Sequence, residues 1–540
     1  MGPTRKALIE AHQMAQAPLT RVSDYVQQHA LHSPNADAMV LGSQRTSYGT
    51  LHARIEELAR ALLAAGVEHG DRVATLCTPH PDYFVIMLAT ASIGAIWVGL
   101  NPRYRVDELT YVAQDCDPKV LFSRLRIGDR HYEDDIVRMR QAAPSLQYIV
   151  SLDPGLTCPG VCSYSEFSQG NRHVDDRELH EARERCMPRD PCLIVYTSGS
   201  TGRPKGALLC HQGIVDFALG QNRAWPLSRH ICLNYFPVNH VGCVVDLSCP
   251  TMIAGGCIVF LEQFDPQATL RLTASERITL WASVPSVFQL QLAHPSFSSY
   301  DLSSIELIVW EGAPMPADMI RRLRAVCPLM ATNYSLTETT GAVTIVTPTS
   351  DEEVLANSVG VPFDGVEIRL VGPDGTEVSD GMEGEIQTRS RYNMLGYWRR
   401  PAETDAALRD GWLRTGDLGA RRPDGRYRIV GRLKEMYKSG GYNVYPREVE
   451  SVIESHPRVA LVAVIGVSDP LWQEVGIAYV IPKGELTSQE LEAHCRARLA
   501  NYKVPKEFII RRDLPLLPIG KIDKPALRRE AERTADLNSE

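Results

Sequence analysis

The residues most suggestive of chemistry form one run, Thr197, Ser198, Gly199, Ser200, Thr201, Gly202, Arg203, Pro204, Lys205 and Gly206, directly after the apolar Leu193 to Tyr196. Hydroxyls and glycines at this density make a loop whose N–H groups and side chains can wrap phosphate oxygens, with Lys205 as a point charge. The Walker loop is excluded, because it needs Ser or Thr after its lysine and here Gly206 follows. Read alone, the run is equally well a flexible surface loop. Three more charged groups stand at marked positions. Glu338 closes NYSLTE (333–338), Asp417 follows the tight Thr415-Gly416 turn, and Lys521 lies in GKIDKPALRR (520–529). Each has a plain reading as a solvated acid, a turn cap or one more lysine in a basic tail.

Such groups need a scaffold, and 540 residues exceed what one core usually serves. Leu51, Ile55, Leu58, Leu62 and Leu63 recur at helical spacing and stop at Gly66; Arg72 to Leu76 then reads as a strand. The charge-free stretch from Phe84 to Leu100 contains Thr90, Ser92 and Gly94. It reads as a buried helix ending near Gly94, then a strand through Ile96, and not as a membrane span. Strand and helix patterns alternate to about residue 330, which predicts layered α/β subdomains. From about 355, short strands at 367–371, 384–388 and 426–430 lie between GPDG and RPDG turns and predict a small β-rich subdomain. Past Gly431 come a helix at 446–454, a strand near 459–467, a helix near 488–499 and a basic tail. The expected organisation is an α/β N-terminal domain, residues 1–432, and a small mobile α+β C-terminal domain, residues 433–540.

A net charge of −8 argues against nucleic acid as a partner. Arg5 and Lys6 are followed by Glu10, His12 and Gln13, without the apolar core of a signal peptide. Thirteen scattered cysteines, with no CxxC or His cluster, suggest reduced thiols in a cytoplasmic protein.

The 197–206 run resembles the phosphate loop of the adenylate-forming superfamily, which includes acyl-CoA synthetases, peptide-synthetase adenylation domains and beetle luciferases. Its other signatures stand here in the family's order: FPVNHVG (236–242), EGAP (311–314), NYSLTE (333–338), GWLRTGD (411–417), GRLKE (431–435), KSGGYNVYPREVE (438–450) and GKIDKPALRR (520–529). The resemblance runs from about Thr46 to Arg529. It implies an acid–thiol ligase that adenylates a carboxylic acid with Mg-ATP and passes the acyl group to coenzyme A. Carboxylate attack on the α-phosphate brings two anions together, so cations must meet the developing charge.

By this resemblance Thr197, Ser198, Gly199, Ser200, Thr201 and Lys205 hold phosphates, and Thr337 hydrogen-bonds phosphate while Glu338 holds Mg2+. Gly312, Ala313 and Pro314 form a wall at the adenine, Tyr334 packs on it, and Asn333 and Ser335 flank it. Asp417 accepts from the ribose hydroxyls, with Ile429 beside the nucleotide and Arg432 on ribose or phosphate. Lys521 bridges carboxylate and α-phosphate; Ile519 stands where a small hydroxyl residue is frequent. Lys434 takes the hinge position about which the C-terminal domain rotates between half-reactions, and Lys438, Ser439, Gly440 and Gly441 approach coenzyme A.

For the acid, the resemblance places His240 near the reacting groups. Cys243, Asp246, Trp281, Ser286 and Trp310 are candidate walls, each equally readable as core. An ungapped count to the ammonium-binding Asp of α-amino-acid adenylation domains lands on Gly242 or Cys243, which lowers that reading. Two tryptophans and few cations fit an aliphatic, alicyclic or aryl acid. Alternatives kept open are an adenylation enzyme loading a separate carrier protein, a luciferase-like oxygenase and a catalytically inactive nucleotide-binding homologue. No carrier segment follows residue 540 and the last residues, Asn538 to Glu540, lack a peroxisomal signal. A second copy of the chain is an admissible partner.

Overall fold

The computed structural model describes residues 18–156, 158–197, 203–517 and 521–539. Two large sheets form the N-terminal part. The first has eight strands, and its centre, Pro191–Thr197, Ile96–Leu100, Arg72–Leu76, Val120–Ser123 and Tyr148–Ser151, is parallel. The second has nine strands, with a parallel run from Met330–Ser335 through Leu307–Trp310, Leu280–Ser283, Ile231–Asn234 and Cys257–Phe260 to Asp37–Leu41.

Side chains alternate across each strand. Val73, Trp97 and Val195 of the first sheet, and Cys232, Leu307 and Val309 of the second, enter one continuous core with helices Tyr48–Ala64, Pro81–Ser92 and His211–Ala224. The outer faces have cores of their own, against helices Val106–Cys116 and Glu133–Ala142 on one sheet and Ala317–Arg324 on the other. Leu51, Ile55, Leu58 and Leu62 are buried at the predicted spacing. The charge-free stretch is the helix Pro81–Ser92 and the strand Ile96–Leu100. Among the described residues no helix is long and apolar enough to cross a membrane. All thirteen cysteines are unpaired.

A five-stranded antiparallel sheet follows, built on Val366–Val371, Glu383–Ser390, Trp412–Arg421 and Tyr427–Arg432. The last sheet begins at Tyr437–Ser439 and includes Val459–Asp469, Gln473–Pro482 and Glu507–Ile510. Helices Pro446–Glu454 and Ser488–Arg496 cover one face. The second helix stops short of residue 499, because Arg498 and Leu499 N–H turn back onto the Cys495 carbonyl. The basic tail is in fact a helix, Lys524–Ser539, whose fully buried Leu527 and partly buried Ala531 pack on the other face at i, i+4.

Candidate active site

The run from Thr197 to Gly206 links two antiparallel strands. Thr197 ends one strand of the first sheet and Lys205 begins the next, directly opposite it. Ser198, Gly199, Ser200 and Thr201 lie outside the described residues, as do Ile519 and Gly520. Edge strand Gly396–Tyr397 pairs with the hairpin's second strand and sets Tyr397 beside Lys205, whose Nζ lies 5.3 Å from the ring centroid. Tyr397 donates to Glu338 Oε1 at 2.8 Å, and Thr197 Oγ1 lies 3.5 Å from the same oxygen. Glu338 sits in the 3-10 turn Thr337–Thr339, closed by Thr340 in the left-handed region at φ 63°; the Thr340 hydroxyl bonds the Tyr392 carbonyl. These bonds engage Oε1 of Glu338, so Oε2 suits a hard cation that takes most of its other ligands from phosphate and water.

Asp417 and Arg432 are opposite one another on adjacent strands of the β-rich sheet and form an ion pair at 3.0 Å. The other Asp417 oxygen accepts from Tyr334 at 2.6 Å, and Asp417 is 3% exposed. Burial raises the Asp417 carboxyl above its ordinary range, against the pull of Arg432 and the Tyr334 hydroxyl. Each oxygen retains a lone pair for a further donor, as a ribose diol requires. Ile429 is partly exposed on the strand that carries Arg432, and Ser335 ends the strand that carries Tyr334.

Gly312, Ala313 and Pro314 make an exposed loop after strand Leu307–Trp310. Gly312 has φ +81°, and a Cβ there would stand 2.4 Å from Lys521 Cε. Glycine is therefore demanded twice, by the backbone and by the lysine lying over it. Burial lowers the Lys521 pKa, as does Arg432, while Glu311 and Asp417 act oppositely. Burial first, and then Lys521, push His240 down to about 3, so its ring is neutral. Its Nδ1 faces the Gly242 N–H at 3.0 Å and must accept, which puts the ring proton on Nε2 as a donor.

Lys434 lies in the turn after Arg432. Burial lowers its pKa, and the next causes are the neighbouring cations Lys205 and Arg432. Lys438 and Ser439 end a strand, and Gly440 and Gly441, both at positive φ, turn it back in a two-residue hairpin. Gly440 N–H donates to the Trp472 carbonyl, and a Cβ at Gly440 would meet the Trp472 ring at 2.9 Å.

The structure thus brings Thr197, Lys205, Glu338, Tyr334, Asp417, Arg432, Gly312, His240 and Lys521 into one centre. Trp281 and Trp310 take no part in it. Both pack with Phe288, Ile320 and Met330 on the outer face of the second sheet, whereas Cys243 belongs to the inner core. They are core because strand alternation turns positions 281 and 310 outward, which a count of apolar residues does not register. Ser286 lies in helix Pro285–Ala293 beyond Trp281.

Three features went unread in the sequence. Tyr397 has no local motif; only its pairing with the hairpin places it. Glu311 was seen as part of EGAP, but its bond from Asn333 Nδ2 at 2.8 Å was not. Lys524, read as a tail lysine, bridges Glu435 and Glu450 at 2.7 and 2.8 Å.

Fold and site together define an adenylate-forming enzyme, with phosphate hairpin, ribose carboxylate and inserted lysine around one centre. Comparison with known proteins agrees. The AMP-binding enzyme family matches residues 26–398, and the AMP-binding enzyme C-terminal domain matches 448–521. A feruloyl-CoA synthase of Amycolatopsis sp is 36% identical over 92% of this chain and 96% of its own. An indoleacetate–CoA ligase of Aromatoleum aromaticum is 34% identical over 95% of this chain and 98% of its own. Among solved structures, an amide bond synthetase from Marinactinospora thermotolerans superposes with TM-score 0.81 at 28% identity, covering 94% of this chain and 99% of that one. The chain belongs to the AMP-binding enzyme family, and within it is an AMP-forming acyl-CoA synthetase.

Proposed function

We propose that this acid–thiol ligase takes an aryl or arylalkyl acid, activates it with Mg-ATP at the Lys521 centre, and hands the acyl group to coenzyme A after its C-terminal domain turns about Lys434. The observation that carries the reading of the centre is Lys521 lying over Gly312, within electrostatic reach of Glu311, His240, Arg432 and Asp417. A carboxylate oxygen attacks the α-phosphorus and pyrophosphate leaves. Charge that gathers between the two anions is met by Lys521, with Arg432 and Lys205 toward the phosphates. Neutral His240 offers an N–H to a carboxylate oxygen without adding a second cation that would compete with Lys521. Glu338, steadied by Tyr397 and Thr197, would hold Mg2+, which supplies charge neutralisation on the phosphates. Tyr334, Asn333, Ser335 and Ile429 frame the base and Asp417 the ribose. The coenzyme sulfur then replaces AMP at the acyl carbon, with Lys438 to Gly441 as its approach.

The aryl reading has the support of the relatives named for feruloyl and indoleacetate substrates. A cytoplasmic location accords with thirteen unpaired cysteines. The test is pyrophosphate release across aryl, arylalkyl and aliphatic acids, with and without coenzyme A and with Mg2+ chelated. AMP, pyrophosphate and an aryl-CoA thioester are expected; ADP as product, or preference for plain aliphatic acids, would refute it.

A further inference from the structure

Next to Glu311 the protein has an excess of buried hydrogen-bond acceptors. Asp246 is 5% exposed, and neither carboxylate oxygen has a partner among the described residues. It stands in the π-helical segment Gly242–Ser248, one residue after which the chain returns to α-helix. Wide π turns interrupt regular helices mainly at functional sites. Its neighbours Val244, Val245 and Leu247 join the main core. The charged group that acts on Asp246 is Glu311, itself a carboxylate. The amides nearby do not relieve this. Gln221 Nε2 donates to the Asp246 backbone carbonyl at 2.8 Å, and Asn333 Nδ2 donates to Glu311. Both therefore spend a donor on a neighbour, and Gln221 Oε1 and Asn333 Oδ1 are left buried without partners among the described residues.

A carboxyl group sealed from water without a hydrogen bond is costly, and natural proteins rarely keep one. Something must bring donors here. Its direction follows from the chain: Asp246 stands on the Gly242–Ser248 segment, whose Gly242 N–H is held by His240 Nδ1, and Glu311 precedes the Gly312 that Lys521 overlies. Asp246 thus belongs with the His240 segment, which carries it from the reacting carboxylate into the acyl side.

We propose that Asp246, set beyond Glu311, forms the far end of the acyl pocket and recognises a hydrogen-bond donor on the non-reacting end of the acid. This rests on the acid–thiol ligase reading above. The donor chemistry is shared by three kinds of acid: those with a distal ammonium, a ring N–H or a distal hydroxyl. A site built to accept such a proton rejects an analogue that lacks it, because the acceptors then stay unpaired.

The experiment uses the full chain and matched pairs of acids, each donor-bearing acid beside its donor-free isostere: aminomethylbenzoates and toluates, indole and benzothiophene acids, hydroxycinnamates and cinnamates. The readouts are ATP–pyrophosphate exchange and thioester formation with coenzyme A. In the native enzyme kcat/KM should favour at least one donor class over its isostere by about tenfold or more; which class wins identifies the donor. Asp246→Leu should lower that acid by about tenfold to a hundredfold and raise its isostere, reversing the preference. Asp246→Asn guards against misfolding, since it keeps shape: it should lower the preference for an ammonium, which loses its counter-charge, and retain the preference for a neutral N–H or hydroxyl, which the amide oxygen still accepts. A native preference for every donor-free acid, or equal losses for both members of each pair, overturns the inference and leaves the ligase standing. No exchange with any acid overturns both readings.

Discussion

The two sides of Lys521 are furnished in opposite ways. On the side proposed for the nucleotide the carboxylates already have partners: Asp417 has Arg432 and Tyr334, Glu338 has Tyr397. On the proposed acyl side neither Asp246 carboxylate oxygen has a partner among the described residues, and Glu311 has one amide. A ligand that is always ATP lets the protein prearrange its own contacts and keep spare lone pairs for the ribose. A pocket that must choose among acids leaves its polar groups unsatisfied until the right one arrives, which makes a wrong acid costly.

Lys521 is where the two sides meet, so its loss should have the largest effect. Lys521→Ala is expected to slow adenylation by on the order of 10²–10³, the usual loss for one preorganised donor. Thioester formation from a synthetic acyl-adenylate should remain near normal, measured with coenzyme A in excess. Comparable loss in both half-reactions would mean that Lys521 belongs to neither side in particular.

Lys524 offers the contrast three residues on. It is held between Glu435 and Glu450, and those two carboxylates keep its pKa raised despite burial. Lys524→Ala should leave the buried Glu450 with Arg447 at 3.7 Å and the Val464 N–H and cost about 2 kcal/mol of stability. Thermal melting should register this, with both half-reactions falling together. If Lys524→Ala instead reproduced the split of Lys521→Ala, catalysis would depend on a general positive tail.

The comparison also makes a prediction of opposite sign for two aspartates. Asp417→Asn should lower the melting temperature and raise KM for ATP, because it weakens the pairing with Arg432. Asp246→Asn should raise the melting temperature of the ligand-free protein. Burial, and after it Glu311, raise the Asp246 pKa in the folded state. Its contribution to stability is therefore present below the unfolded value of 3.8 and is lost as pH rises through the folded value. The gain from Asp246→Asn should accordingly grow with pH above about 4. A gain that shrinks with pH would mean that Asp246 has a donor after all.

The smallest effect is expected from Tyr397→Phe, which removes one bond to Glu338 and leaves the ring under Lys205. The Mg2+ concentration for half-maximal activity should rise a few-fold, roughly the worth of one charged hydrogen bond. An unchanged Mg2+ requirement would show that Glu338 needs no help from the edge strand.

Much of this was legible in the chain. Helical spacing gave the buried face of Tyr48–Ala64, and the apolar run from residue 84 resolved into helix and strand, because local patterning and burial agree there. The acyl side was legible least. Trp281 and Trp310 are candidate walls equally readable as core, and the structure packs them in the outer core. Asp246 was one name among several candidates, and its lack of partners cannot be read from its neighbours in sequence.

The sequence by itself determined the class of chemistry, since the phosphate hairpin, Glu338, Asp417, Arg432 and Lys521 sit in motifs whose residue types are dictated by one constant ligand. Only the tertiary structure decided which groups are paired. Lys521 reaches Gly312 across more than two hundred residues of chain, Tyr397 reaches Glu338 across 59, and Gln221 holds Asp246 across 25. Hydrogen bonding and burial are properties of neighbours in space, so the satisfied nucleotide side and the unsatisfied acyl side become distinct only after folding.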